Sequence, residues 1–560
     1  MNNKVLYLAL GVALLGTTSC SKKLGEFQSN YFNTTPTPLE TVGMNVPATI
    51  TGNIPAKFMV KNAKVTATPV LEFAGGSVQG TPVIIQGENV RANGQVISYD
   101  NGGTVTIPFN TEYQPAMAES DLYLDFQVDQ NGKMYALPRL KVGDGVIATS
   151  TLASAATITP AIAKDKFQRI INEKYTADIR FLINQAVIRN NQITATDYVD
   201  LNNELLAANA APNKEIAGVN IASYASPDGT LAFNTELAER REQVTTNFME
   251  NQLKKDKITE FGELTSSFTP EDWEGFQELV SKSNIQDKNL ILGVLKMYKD
   301  PEQREKEIRN LSGVFNELAD QILPQLRYSR IQASINVIGK SDQEMINLFN
   351  TDPSKLTEDE ILYVATLTND NNRKMEVYKK ATQLYPKSYR AFNNLGMTEY
   401  EAGDYASAKA AFERAKSLNP SSKEVDMNLG LIQLMDGNYN KANELLGAAA
   451  GVPEASDALG VYYLTQGEVA KANTAFGNAK TNNAALAKLL AKDYSAAQSI
   501  ISAIPNPDAT TYYIAALVAA RTNNESGVLS NLRKAISMDS SMLQKAKDDK
   551  EFSKFNLSSL

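Results

Sequence analysis

Small and aromatic residues recur with a fixed period in the last third of this chain, and that period restricts its fold more than anything else. Gly396, Ala408, Phe412, Ala415 and Pro420 are followed by Gly430, Ala442, Leu446 and Ala449, with Gly430 one period of 34 residues after Gly396. Leu459, Gly460, Ala472, Phe476 and Ala479 give a third set after a shortened connection. Glycine or alanine at these points lets paired helices approach closely. Phe392 and Phe412 are suited to fill the space between units. No such unit buries its apolar face alone, so the units must stack. Flanking sets keep the register. Leu362 to Leu384 ends with Ala381 and Pro386, and Tyr512 to Met538 carries Ala535. Asp493-Tyr494-Ser495-Ala496-Ala497 echoes Asp404-Tyr405-Ala406-Ser407-Ala408. About six helical pairs are expected over 355–545.

Phe392, Leu395, Gly396, Ala408, Phe412, Ala415 and Pro420 resemble the consensus of the tetratricopeptide repeat (TPR) family. The resemblance implies an α-solenoid whose concave groove holds a peptide or a partner protein. A spacer without a ligand is the alternative. All residues named above are packing residues, so the groove contacts stay unassigned.

The other end of the chain opens with Lys4, an apolar run from Val5 to Leu15, and small residues up to Ser19 before Cys20. A positive start, a short apolar stretch and small residues describe a secretory leader, too short to span a bilayer. Leu14-Leu15-Gly16-Thr17-Thr18-Ser19-Cys20 resembles a bacterial lipobox. That resemblance implies a signal peptide over 1–20 and acylation of Cys20, the one cysteine in the chain. Several acyl chains anchor firmly, at ~0.8 kcal/mol per buried CH₂. Ser21 in place of Asp, with Lys22 and Lys23 in place of an acidic run, implies the outer membrane and its periplasmic side.

Residues 21–155 carry short β-branched runs: 57–60, 64–71, 82–86, 94–99, 104–109 and 122–128. Turn residues such as Gly75-Gly76 and Asp100-Asn101-Gly102-Gly103 separate them. This spacing predicts a β-sandwich, with its aromatic residues in the core. The Ser-, Thr- and Ala-rich stretch 149–160 reads as a linker.

Residues 165–340 alternate strand and helix patterns, which implies an α/β layer. Strands are expected at 177–183 and 216–223, with helices at 197–208 and 234–244. The strand before Tyr224, then Gly229, Asn234, Leu237, Arg240, Arg241 and Val244, resembles the OmpA C-terminal domain family. Leu323 to Val337 looks like that family's closing strand, after a mostly helical insertion over 269–321 containing Trp273. The resemblance implies peptidoglycan binding, an Asp and an Arg clasping the zwitterionic end of diaminopimelate. The Arg position falls on Arg241. The Asp position falls on Ser226, which has no charge to hold an ammonium, and Asp228 stands two residues away. The alternative is a retained fold with the site lost and Arg241 an ordinary surface arginine.

Composition narrows the function classes. A net charge of −8 without basic runs offers no stripe for nucleic acid. The absence of histidine removes the usual general base, and no Gly-x-x-x-x-Gly-Lys motif is present. No metal or cofactor is expected. The chain reads as multidomain α+β: an N-terminal β-sandwich, a central α/β OmpA-like domain and a C-terminal α-solenoid of TPR repeats. The expected function is a lipid-anchored envelope scaffold that binds partner proteins through its groove and is not an enzyme. The alternatives are an outer-membrane tether to peptidoglycan and, less favoured, a glycan-acting enzyme using paired carboxylates.

Overall fold

The structure is a computed structural model that describes residues 23–285, 287–310 and 312–560. The expected leader and Cys20 lie outside the described residues. The chain forms two compact units: residues up to Lys164 together with Thr368–Leu560, and Asp165–Leu367. The β-rich region and the helical array, expected as separate domains, therefore share one unit.

The β-rich part of the first unit is two packed sheets. Its strands are β1 (Phe32–Thr35), β2 (Asn45–Ile54), β3 (Ala63–Phe73), β4 (Gly76–Gln79), β5 (Val83–Gly87), β6 (Gln95–Ile97), β7 (Gly103–Glu112), β8 (Ser120–Gln130) and β9 (Lys133–Asp144). One sheet runs β1-β2-β7 and the other β9-β8-β3-β5-β6, with β4 paired to β3. Alternate residues of β2 and β8 point inward, so Val46, Ile50, Leu122, Leu124 and Val128 meet in one core. The aromatic residues join it: the rings of Phe27 and Phe126 stack at 4.5 Å. The run 57–60 is a turn and not a strand, with Lys57 at φ 66°. Strand β2 escaped the sequence pattern because Pro47 and Gly52 interrupt it. Pro47 lies outside the stretch of β2 that pairs with β1, where no ladder donor is needed. Gly52 is required because a Cβ there would sit 2.7 Å from the Phe32 ring.

The second unit is built on a four-stranded sheet of β10 (Ile170–Arg180), β11 (Lys214–Tyr224), β12 (Glu263–Thr269) and β13 (Tyr328–Ile338), in the order β10-β13-β11-β12. Helices α1 (Thr196–Ala210) and α2 (Leu231–Lys255) connect the first three strands. Their apolar faces meet the sheet around Leu201, Leu205, Ile221, Met249 and Ile335. The insertion forms α3 (Trp273–Lys282), α4 (Lys288–Met297), α5 (Pro301–Asn310) and α6 (Ser312–Gln321), which share a small core of their own around Phe276, Ile291 and Leu326. Two further helices, α7 (Asp342–Thr351) and α8 (Glu358–Val364), end this unit.

The array of the first unit begins with α9 (Asn371–Leu384). Helical hairpins follow: α10 (Tyr389–Glu401) with α11 (Tyr405–Leu418), α12 (Lys423–Met435) with α13 (Tyr439–Ala448), and α14 (Ala455–Thr465) with α15 (Val469–Phe476). Then come α16 (Asn482–Leu490) with α17 (Tyr494–Ser502), α18 (Ala509–Arg521) with α19 (Glu525–Met538), and a closing α20 (Met542–Asp548). Among the described residues the array thus has five complete hairpins, since α8, the first helix of the expected sixth pair, belongs to the second unit. Side chains of Ser388, Asp404, Ser422 and Asp493 cap their helices. A Cβ on Gly396 would meet the Phe412 ring at 2.8 Å, and one on Gly460 would meet the Phe476 ring at 2.5 Å, so the hairpins close tightly only with glycine there.

Sandwich and array are fastened directly. The Met44 N–H donates to the Thr465 carbonyl at 3.1 Å. Arg521 bridges Glu40 of the sandwich side and Glu551 beyond α20, each at 2.6 Å. The Thr149 hydroxyl donates to Glu551 at 2.6 Å. Burial disfavours the Arg521 charge, but the two carboxylates more than offset it and raise its pKa.

Candidate functional site: an occupied groove

The first helices of three of the five hairpins carry buried asparagines. Asn393 and Asn394 of α10, Asn428 of α12 and Asn483 of α16 are all at most 4% exposed. A buried amide needs partners, and an unpaired one costs roughly 1–3 kcal/mol. Here the partners are backbone groups of residues 154–163, the stretch read from sequence as a linker.

Three asparagines each grip one residue of that segment with both ends of the amide. The Asn483 amide donates to the Ser154 carbonyl at 2.8 Å and accepts from its N–H at 3.0 Å. Asn428 donates to the Ala161 carbonyl at 2.8 Å and accepts from its N–H at 2.7 Å. Asn394 does the same at Ala163, at 3.0 and 2.9 Å. Asn393 adds a second donor to the Ala161 carbonyl at 3.0 Å and accepts from Asn428 at 3.0 Å, which fixes both amide orientations. The Tyr400 hydroxyl donates to the Ala155 carbonyl at 2.7 Å.

The chain runs along the array from α16 towards α10. Ala161 lies where α10 and α12 meet, held by Asn393 and Asn428 together, and Ala163 is held by Asn394 of α10 alone. Both point into the array at 1% exposure, while Ala155 and Ile158 are at 7%. Residues 154–163 carry no charged side chain, and the array meets their main chain except at Thr157, whose hydroxyl accepts from Asn483 at 3.1 Å. The array thus holds an uncharged segment of its own chain, a 3-10 turn at Ala155–Thr157 followed by an irregular run from Ile158, with small residues at the grip points.

The second unit holds the residues singled out for peptidoglycan. Ser226 and Asp228 are brought together, with hydroxyl and carboxylate 2.5 Å apart. A third residue joins them, from the segment read as the closing arginine-bearing strand but given no site role by the sequence. Arg327, at the start of β13, donates to Ser226 at 3.1 Å and to Asp228 at 2.9 Å. Arg309 of the insertion donates to the Asp228 carbonyl, so the loop is covered from that side.

Arg241 is not a surface arginine: it is 0% exposed. It donates to the carbonyls of Gln185 at 3.0 Å, Tyr224 at 2.8 Å and Leu182 at 3.3 Å, and its guanidinium lies 5.1 Å from the Phe181 ring. Burial, aided by the Arg327 charge, pulls its pKa down to about 10, so it stays charged at neutral pH. Its role in this structure is to pin the loop after β10 to the end of β11. Among the described residues no cluster of His, Cys, Asp or Glu could hold a metal ion, and no helix is long and apolar enough to cross a membrane.

The groove asparagines left one legible trace: Asn394 and Asn428 are 34 residues apart, the same period as Gly396 and Gly430. Asn483 sits nearer its helix start than they do and has no such trace.

A family comparison falls on the array. The tetratricopeptide repeat family model matches residues 376–423 and 393–457. A tetratricopeptide repeat protein of Parabacteroides merdae is similar at 14% identity, covering 37% of this chain and 90% of that one, with a TM-score of 0.30. PilF of Pseudomonas aeruginosa matches at 14% identity over 34% of this chain and 97% of its own, TM-score 0.29. YrrB, described as a TPR protein with an unusual peptide-binding site, matches at 19% identity over 37% and 99%, TM-score 0.22. No curated protein sequence matches. The chain carries tetratricopeptide repeats.

Proposed function

We propose that this chain is an interaction scaffold of a bacterial cell envelope, anchored by acyl chains on Cys20, whose repeat array takes polypeptide into its groove. The observation that supports it is the backbone grip of Asn394, Asn428 and Asn483 on residues 154–163. That grip uses the features a groove needs to bind a polypeptide strand. A location on the periplasmic side of the outer membrane is part of this reading, and the lipobox-like run before Cys20 and the lysines after it support it.

The test is co-purification of the full-length protein from detergent-solubilised membranes. Wild type is compared with the double variant Asn394→Leu, Asn428→Leu. Partners retained by wild type and lost from the variant are expected; an identical partner set from both refutes the groove as the binding surface. Radiolabelled palmitate should enter wild type and not Cys20→Ser.

A second reading makes the Asp165–Leu367 unit an OmpA-like tether to peptidoglycan. It rests on the carboxylate of Asp228 beside the guanidinium of Arg327, 2.9 Å apart at the loop before α2, a pair of opposite charges such as a zwitterion requires. Arg327 takes the place that the sequence assigned to Arg241. Sedimentation with purified sacculi decides it: wild type should pellet and Asp228→Ala should stay in solution.

A further inference from the structure

The groove that the proposed function relies on already holds a segment of its own chain. We propose that residues 154–163 are a resident ligand that keeps the groove closed, and that a partner enters only by displacing it. The partner's chemistry follows from the contacts: an uncharged stretch, free of regular helix or strand where it meets α10 and α12, with alanine- or serine-sized residues at the grip points. The inference rests on the groove being a peptide site, as proposed above.

Three observations separate a resident ligand from a fixed element of the core. The first is that the grip is entirely by main chain at Ser154, Ala161 and Ala163, so any strand with N–H and C=O groups at those points satisfies the same asparagines. The second is that residues 154–163 belong to no strand and hold only the 3-10 turn Ala155–Thr157, whose backbone bond stays within the segment, so no backbone ladder ties them to the rest of the fold. The third is polarity: if the segment left without replacement, Asn428 would keep only Asn393 and Asn393 only Asn394 and Asn428, while Asn394 would lose both bonds to Ala163. An empty groove is therefore costly and an exchanged one is not.

Tethering decides how strongly the groove is closed. A covalently attached strand acts at an effective concentration of order 1 mM. If the untethered segment binds the groove with a Kd of about 10 μM, cis occupancy weakens the apparent affinity of any competing peptide by about 100-fold. Weak or scarce strands are thereby excluded, and only a partner that binds more tightly or is locally concentrated gets in.

The probe is a fluorescent synthetic peptide of residues 152–165. Three full-length proteins are titrated: wild type, one with residues 154–163 replaced by an equally long glycine-serine chain, and the replaced protein carrying also Asn394→Leu and Asn428→Leu. The replaced protein should bind about 100-fold more tightly than wild type, and the asparagine variant should lose binding. Equal affinity of wild type and replaced protein overturns the closed groove but leaves the groove as a peptide site. No binding to a replaced protein that melts cooperatively overturns both. Should the replaced protein not fold, amide exchange on wild type decides: millimolar peptide must speed exchange at Ala161 and Ala163, and unchanged protection overturns the proposal.

Discussion

Both units bury polar side chains against main-chain carbonyls, but they do so with different chemistry. In the array, neutral asparagines present a donor and an acceptor together, and each matches one residue of a segment that lies 231 or more positions away in sequence. In the second unit, Arg241 offers only donors, and its carbonyls come from the loop after β10 and the end of β11, within 59 positions. A bidentate amide accepts whatever backbone arrives. A buried guanidinium fixed by three such carbonyls accepts one arrangement alone. The first device suits exchange, the second permanence.

The sharpest challenge to this contrast is Arg241→Leu. It strands three buried carbonyls and should cost about 3–5 kcal/mol. The loss should appear as early proteolysis within 165–367, with the groove segment still protected; joint loss of both would break the contrast. Arg521→Ala comes next. It leaves the nearly buried Glu551 without its cation and should cost about 2–3 kcal/mol, read as a lower melting temperature of the first unit. Asn428→Ala should cost about 1–3 kcal/mol and raise the protease sensitivity of residues 154–163, while leaving the second unit's melting unchanged.

The smallest effect is electrostatic. Burial opposes the charge of Glu360, but Lys340 at 2.8 Å and the Thr357 N–H more than offset it, and its pKa falls below the usual carboxylate value. A carboxyl whose folded pKa is depressed contributes stability above its unfolded pKa and loses it as pH falls through the folded one. Lys340→Met should therefore lower second-unit stability by about 1 kcal/mol at pH 7. The gap to wild type should close as pH drops below about 4.5; a gap independent of pH would show that the pair does not act through charge.

Local periodicity made much of this legible. The repeat period located the hairpins because their packing repeats with the sequence. The helix of Arg241 was legible too. Leu237, Arg241, Thr245, Met249 and Leu253 recur every four residues and are all buried, so the spacing puts Arg241 on the inward face. Reading it as exposed gave its charge more weight than its position. The groove segment was illegible for a physical reason. Residues 154–163 have neither a strand nor a helix period, and what orders them is supplied by Asn394, Asn428 and Asn483, far along the chain. Arg327 was hidden in the same way, since its partners Ser226 and Asp228 precede it by 101 and 99 positions.

The second unit lies in sequence between the groove strand and the array that grips it. Ribosomes make about 5–20 residues per second, so roughly 10–40 s separate the emergence of the strand from that of its first clamp. Throughout that interval the nascent chain shows an uncharged, β-branched stretch to its surroundings with nothing to shield it. The order of synthesis thus asks for a holding factor, or for rapid export, before the protein can close upon itself.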